Sequence, residues 1–494
     1  MTSQHGRRPL RHSIVPPYLL AELARRADTD LAARAHEALL LDDTHRRRRA
    51  ALGVRVSPPS TRPDDGTGPR RTISDAHGTT TLPGQTVRTE GAQPVTDPAV
   101  DEAYDGLGAT WSLFHDVYGR DSLDNAGLAL DATVHYGQAY DNAFWDGARM
   151  VFGDGDGRVF TRFTVAVDVI GHELTHGVTE KTAALTYQGQ SGALNESLSD
   201  VFGSLVKQRS LGQTATEADW LIGAGLFLPA IHGVALRSMK APGTAYDDPL
   251  LGRDPQPATM AGYVHTTDDN GGVHTNSGIP NHAFYLAATS LAATAIAAHA
   301  WDGAGQVWYD VLTGGALPED ADFATFAKLT VQAASALLGA QAARAIQDAW
   351  SQVGVAAAGA GSDGTGPGAG SDGTGRGAGS DGTAGGTAPA SDPAQRSSGP
   401  AGPASGPLLL RRTGGLAGLV LEREVELDSL PAHQAEQWRS LLGSGVLHAL
   451  TACQPTPDGF VYEVRCPGAG LDVTTGERDL PSQARETIES TLRG

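Results

Sequence analysis

His172-Glu173-Leu174-Thr175-His176 carries the most specific chemical signature in this 494-residue chain. On a helix, residues four apart lie one above the other on the same face. His172 and His176 can therefore offer two imidazole nitrogens to one ion, with Glu173 within reach of a water bound to it. Metal-activated hydrolysis is the chemistry of such a trio. The helix itself is supported by Val165, Val169, Ile170, Leu174 and Val178, apolar and spaced mostly three and four apart. Two partnered histidines on a structural helix would give the same five residues, so a third ligand decides. Glu196 lies twenty residues past His176, inside Gly192-Ala-Leu-Asn-Glu-Ser-Leu-Ser-Asp-Val-Phe202, a second helix pattern. A catalytic zinc takes three protein ligands and keeps one position for water, and Glu196 completes the three. Asp200 shares the face of Glu196. It is placed to accept the free N–H of a ligand histidine, which fixes that ring's tautomer and angle. Positions 179 and 182 are both threonine, which excludes the longer H-E-x-x-H-x-x-G-x-x-H pattern.

H-E-L-T-H followed by G-A-L-N-E-S-L-S-D resembles the thermolysin-like metallopeptidases, and within them the protealysin-like subgroup. Asn142-Ala143-Phe144-Trp145, Gly153-Asp-Gly-Asp-Gly157, Tyr187, Leu236-Arg237-Ser238 and Asp269-Asn-Gly-Gly-Val-His274-Thr-Asn-Ser277 match in the same order, from about residue 71 to about residue 355. The resemblance implies an α+β, two-lobed fold: a β-rich lobe over 71–165, then a helical lobe over 166–355 with the zinc site at the base of the cleft. Zinc held by His172, His176 and Glu196 would activate a water and polarise the scissile carbonyl. Glu173 would act as general base. His274 and Tyr187 are the implied oxyanion donors, with Asp269 orienting His274. Arg237 would hold the backbone carbonyl beyond the cut, and Asn142 and Ala143 would align the substrate backbone. Cleavage on the amino side of Leu, Phe, Ile or Val follows from the same resemblance.

Relatives with a paired calcium site below the active site place several carboxylates there. Asp168, Asp200 and Asp219 remain in this chain, but the other matching positions hold Lys207, Leu221 and Ala224. An ammonium at Lys207 would take the place of a cation and pair with these aspartates, which argues against Ca2+.

The net charge of −19 argues against nucleic acid and anionic membranes as partners. No window approaches the apolar length of a membrane-spanning helix. Residues 1–11 are polar and basic, and no uninterrupted apolar run follows, so no secretory signal is visible. A cytoplasmic protein, or one exported by a non-classical route, is therefore expected. It should be a monomer acting on proteins or peptides. Cys453 and Cys466 are the two cysteines. A tight turn over 455–459 would leave them out of register, so free thiols are expected.

Residues 1–60 form a distinct segment, with 14 arginines against 8 acidic residues over 1–71. His12-Ser-Ile-Val-Pro-Pro-Tyr-Leu-Leu20 opens it, and a helix pattern runs over 20–41. The Arg46–Arg49 run reads as a solvated helix end. Pro-Pro-Tyr-Leu-Leu resembles the short propeptide of protealysin-like enzymes, which implies a segment lying against the catalytic domain and later removed. The 57–71 stretch reads as a cleavable connection. Strand-forming runs follow at 133–136, 150–152 and 158–164, with a helix over about 100–117. The Asp154/Asp156 pair does not complete a calcium loop and reads as a glycine-rich turn. Helix patterns recur at 163–179, 191–209, 276–300, 322–335 and 339–352.

Gly359-Ala-Gly-Ser-Asp-Gly-Thr recurs at Gly368 and Gly377, within a Gly/Ser/Pro-rich linker over 356–407 expected to be disordered. Residues 408–494 regain apolar alternation: two strands around Gly414-Gly415, a helix over 431–442, and strands near 447–453 and 459–466. Thr413-Gly-Gly-Leu-Ala-Gly418 and Asp428-Ser-Leu-Pro431 resemble the proteinaceous inhibitor of protealysin-like peptidases. That implies a small α+β inhibitor domain, and with the propeptide a self-inhibited precursor. The competing class is a catalytically silent zinc protein acting through this carboxy-terminal domain. Every catalytic position is filled, which favours the enzyme.

Overall fold

The computed structural model describes residues 12–52, 68–356, 407–414, 421–444, 446–447, 460–469, 471–476 and 480–493, with backbone alone over 42–52. Nearly all of the 356–407 linker, the 447–453 strand and Cys453 lie outside the described residues. The chain divides into two units, the larger containing residues 1–358 and the smaller most of the carboxy-terminal segment.

In the larger unit a six-stranded sheet forms the β-rich lobe. Its order from one edge is His12–Ser13, Ala143–Trp145, Arg149–Phe152, Leu130–Val134, Arg71–Asp75 and Gln85–Thr89. Leu130–Val134 pairs in parallel with both neighbours, and the other pairings are antiparallel. The edge strand comes from the amino-terminal segment: His12 is opposite Trp145 and Ser13 opposite Phe144. The Pro98–Ser112 helix packs on the sheet and on the Val167–Lys181 helix, and it buries Ala99, Val100, Ala103 and Leu107. Pro98 starts it with a preset φ, and the Asp97 side chain accepts from Ala99 N at 2.9 Å.

The helical lobe is built from Val167–Lys181, Gly189–Leu211, Gly278–Ala293, Ala304–Thr313, Phe323–Leu337 and Ala340–Gln352. The first two lie unusually close. A Cβ on Gly203 would meet the Asp168 carbonyl oxygen at 2.4 Å, so only glycine permits this approach.

Several elements differ from the sequence expectation. Residues 158–164 do not form a strand; Phe160 makes an isolated bridge to Phe227, and Phe163–Val165 is a 3-10 turn. Asp156 Oδ1 accepts from the N–H groups of Arg158, Val159 and Phe160 at 2.8, 2.7 and 3.0 Å, removing the donors a ladder would need. The expected 276–300 helix stops at Ala293, and Ala295 turns left-handed at φ 56°. The Ala304–Thr313 helix was not foreseen; it buries Val307, Trp308, Val311 and Leu312. The 20–41 pattern is two helices, Pro17–Arg26 and Thr29–Leu52, divided where Asp28 Oδ1 accepts from Leu31 N at 3.2 Å.

The smaller unit has a four-stranded sheet in the order Leu421–Glu426, Pro407–Gly414, Phe460–Cys466, Leu471–Gly476. Leu471–Gly476 and the Ser482–Arg493 helix were not foreseen. That helix packs on Ala432–Gly443, with Trp438 Nε1 donating to Thr491 Oγ1 at 2.8 Å. Cys466 is a buried free cysteine.

Candidate metal centre and active site

Both helices that cross at Gly203 turn polar residues toward one another. His172, Glu173 and His176 come from the first, and Asn195, Glu196, Ser199 and Asp200 from the second. All seven are buried. His172 Nδ1 lies 2.8 Å from Asp200 Oδ1, and His176 Nδ1 lies 2.8 Å from Asn195 Oδ1 and 3.0 Å from Ser199 Oγ. A carboxylate and an amide carbonyl can only accept, so each Nδ1 carries the proton. Each Nε2 is then unprotonated and carries a lone pair, and the two Nε2 atoms stand 3.0 Å apart. Two lone pairs cannot bond to each other; a cation between them resolves the arrangement.

Glu196 completes the cluster, with carboxylate oxygens 3.5 Å from each Nε2. All three ligand atoms lie within 4.8 Å of one another. A tetrahedral zinc with ligands at about 2.0–2.1 Å separates its ligand atoms by about 3.3 Å, so nitrogen and oxygen donors at these spacings fit that ion.

The sheet and the loops supply the remaining groups. Glu173 Oε2 accepts from Trp145 N at 3.0 Å, tying the helix to the sheet. Tyr187 O–H donates to Glu196 in a short hydrogen bond and lies 3.4 Å from His274 Nε2. His274 Nδ1 sits 2.7 Å from Asp269 Oδ1, and its backbone N–H donates to Asp269 Oδ2 at 3.0 Å. Between them the chain turns left-handed, with φ of 52°, 84° and 72° at Asn270, Gly271 and Gly272. Burial opposes charge on His274, but the Asp269 and Glu196 carboxylates outweigh it and raise its pKa to about 9. Arg237 grips Asp200 through Nε at 2.9 Å and Nη2 at 2.8 Å. Burial alone would raise the Asp200 pKa; Arg237 and His172 more than offset this and hold it below the ordinary carboxylate value.

The amino-terminal segment lies along this site. Ile14 N donates to the Ala143 carbonyl at 3.2 Å, and Arg237 Nη1 donates to the Ile14 carbonyl at 3.0 Å. Val15 N donates to Asn142 Oδ1 at 3.0 Å, and Asn142 Nδ2 donates to the Val15 carbonyl at 3.5 Å. The Ser13 carbonyl oxygen is 3.3 Å from His274 Nε2. Further along, Arg158 pairs with Asp28 at 2.6 Å, and Leu19, Leu20 and Leu23 are buried.

The structure thus gathers the predicted residues Asn142, Ala143, His172, Glu173, His176, Tyr187, Glu196, Asp200, Arg237, Asp269 and His274. Four positioning groups had been assigned no role: Trp145, Asn195, Ser199 and Asn281, whose Nδ2 donates to Asp200 Oδ2 at 2.8 Å. Asn195 and Ser199 are four apart, so the spacing argument that found Asp200 could have found them. Of the other histidines, His135 bonds Asp154 at 2.9 Å and Asp97 at 2.8 Å, a link within the sheet region.

Lys207 Nζ lies 2.9 Å from Asp168 Oδ2, 2.9 Å from Asp219 Oδ1 and 2.6 Å from the Leu221 carbonyl. The expected pairing with Asp200 is corrected: that carboxylate is taken by His172, Arg237 and Asn281. Burial would lower the Lys207 pKa, yet Asp168 and Asp219 outweigh it and raise it. Replacing Lys207 by Met should cost about 3 kcal/mol, the lower end for breaking a buried pair because Asp219 is partly exposed. Wild-type Tm should not respond to added Ca2+; a rise of several degrees would show that the cluster still takes that ion.

Comparison with known proteins agrees with this geometry. Residues 62–180 match the thermolysin metallopeptidase catalytic domain, 183–355 the thermolysin metallopeptidase alpha-helical domain, and 410–492 Emfourin. An extracellular metalloprotease of Pectobacterium carotovorum is 60% identical over 265 residues, covering 54% of this chain and 75% of that protein. The extracellular minor metalloprotease of Serratia marcescens is 46% identical over 279 residues, covering 56% and 77%. The solved precursor of protealysin, a metalloproteinase from Serratia proteamaculans, superposes with a TM-score of 0.62 at 53% identity, covering 70% of this chain and all of that one. Two of these relatives are named as extracellular, which overturns the expectation of a cytoplasmic or non-classically exported protein drawn from residues 1–11.

Proposed function

This chain belongs to the thermolysin metallopeptidase family and is a zinc endopeptidase, and we propose that His172, His176 and Glu196 hold its ion while Glu173 moves the proton of the attacking water. The observation that carries this assignment is the two Nε2 atoms 3.0 Å apart, each with a Glu196 carboxylate oxygen at 3.5 Å. When bound, zinc lowers the pKa of a water toward neutrality and polarises the scissile carbonyl.

Glu173, held by Trp145 N–H, accepts the proton of the attacking water and returns it to the leaving nitrogen. His274, kept as a donor by Asp269, and Tyr187 supply hydrogen bonds where the carbonyl oxygen gains charge. Arg237 holds the carbonyl beyond the cut, and Asn142 and Ala143 align the backbone by strand-like pairing. The contacts of residues 13–15 support these roles, since a peptide of this chain already uses those donors and acceptors.

Protein substrates, a propeptide-like segment and an Emfourin domain mark a precursor under inhibitory control. We take residues 1–60 as the propeptide, 71–165 and 166–355 as the two lobes, 356–407 as a linker and 408–494 as an inhibitor domain. That domain would act on the freed cleft of this or a neighbouring molecule. The enzyme works as a monomer outside the cell. Nothing favours the catalytically silent alternative.

A peptide library tests the specificity. Products should begin with Leu, Phe, Ile or Val. Cleavage mainly after Lys or Arg would contradict this preference for an apolar residue after the cut.

A further inference from the structure

We propose that this peptidase cuts the Ser13–Ile14 bond of its own docked amino-terminal segment. This rests on the site assignment above and adds a register to it.

Of the three carbonyls in residues 13–15, only that of Ser13 reaches a group touching the metal-ligand cluster. Its oxygen is 3.3 Å from His274 Nε2, which lies 3.5 Å from Glu196 Oε2. The Ile14 carbonyl goes to Arg237 and the Val15 carbonyl to Asn142. The N–H groups of Ile14 and Val15 are taken by Ala143 and Asn142. Every backbone polar group from the Ser13 carbonyl to the Val15 carbonyl therefore has a partner, and the frame is set by His12 opposite Trp145 and Ser13 opposite Phe144. A one-residue slip would reverse the faces of the segment and expose Ile14, now fully buried. The proton-moving group is anchored to the same strand one residue along, because Glu173 Oε2 is held by the N–H of Trp145, opposite His12.

The chemistry balances with water alone. The water oxygen bonds to the Ser13 carbonyl carbon as Glu173 takes a proton. The Ser13–Ile14 C–N bond then breaks, and Glu173 returns that proton to the Ile14 nitrogen. The products are a carboxylate on Ser13 and an amine on Ile14.

The cut does not free the cleft. Residues after Ile14 stay docked through the Arg237 and Asn142 hydrogen bonds, the Asp28–Arg158 pair and the buried Leu19, Leu20 and Leu23. A second cut further along the chain is then needed for release.

The test uses the full chain loaded with zinc. Intact mass and amino-terminal sequencing should show a new terminus at Ile14, appearing at a rate independent of protein concentration. Glu173→Ala should slow it at least ~10²-fold. A readout free of turnover is amide hydrogen exchange on zinc-loaded Glu173→Ala, where Ile14 and Val15 should be protected. Absence of that protection overturns the register. Protected amides in that variant, with no Ile14 terminus from the wild type, overturn the cleavage and leave residues 13–15 as an uncut plug. Hydrolysis of an added peptide after tryptic removal of the amino-terminal segment separates the two failures. If that activity is present without the Ile14 terminus, only this proposal falls. If it is absent as well, the site assignment falls.

Discussion

Glu173→Ala is expected to lower peptide hydrolysis by about 10²–10⁴-fold or more, the usual contribution of a positioned proton-transfer group, while one zinc per chain remains bound. The proposed ligand nitrogens belong to His172 and His176, one position before and three after Glu173, and their Nδ1 partners Asp200, Asn195 and Ser199 are untouched. Alanine favours the helix, so the backbone that carries the histidines persists. The substitution does leave the buried Trp145 N–H without its acceptor, at about 1–3 kcal/mol. Glu173→Gln restores an acceptor for Trp145 but no base. Stability recovered in the glutamine variant without recovered activity would separate the proton-transfer role from the structural one. Hydrolysis near the wild-type rate in either variant would remove Glu173 from the mechanism.

His176→Ala should instead lose the ion. Two ligands remain of three, and changes to the groups hydrogen-bonded to the ligands alone typically cost about 10–100-fold in metal affinity, so loss of a ligand should cost more. Activity should fall at least as far as in Glu173→Ala, with zinc content near zero after dialysis against a weak chelator. Asn195 and Ser199 would also lose a shared partner, which adds a stability loss in the range of a buried hydrogen bond, about 1–3 kcal/mol. Full zinc occupancy in this variant would refute the ligand assignment.

What could be read from sequence here was local and periodic. The i, i+4 spacing of His172 and His176, and of Glu196 and Asp200, becomes contact once both segments are helices. The separation of Asp269 from His274 gave no such guide, because three residues between them take left-handed φ values, and helical spacing does not apply there. Asn195 and Ser199 share the four-residue spacing of Glu196 and Asp200, one position earlier, so the helical argument reaches them too. The pairing of Ser13 with Phe144 joins residues far apart along the chain, and a two-residue edge strand has no periodicity of its own. Strand-forming residues at 158–164 were misleading because the Asp156 carboxylate captures the backbone donors.

Zinc-dependent hydrolysis is the central claim, and one measurement addresses it most directly. The chain, freed of its amino-terminal segment, is assayed on a peptide before chelation, after chelation, and after one equivalent of zinc is returned. Activity should disappear with the metal and return with zinc alone, without calcium. Undiminished hydrolysis by the metal-free protein would contradict the account.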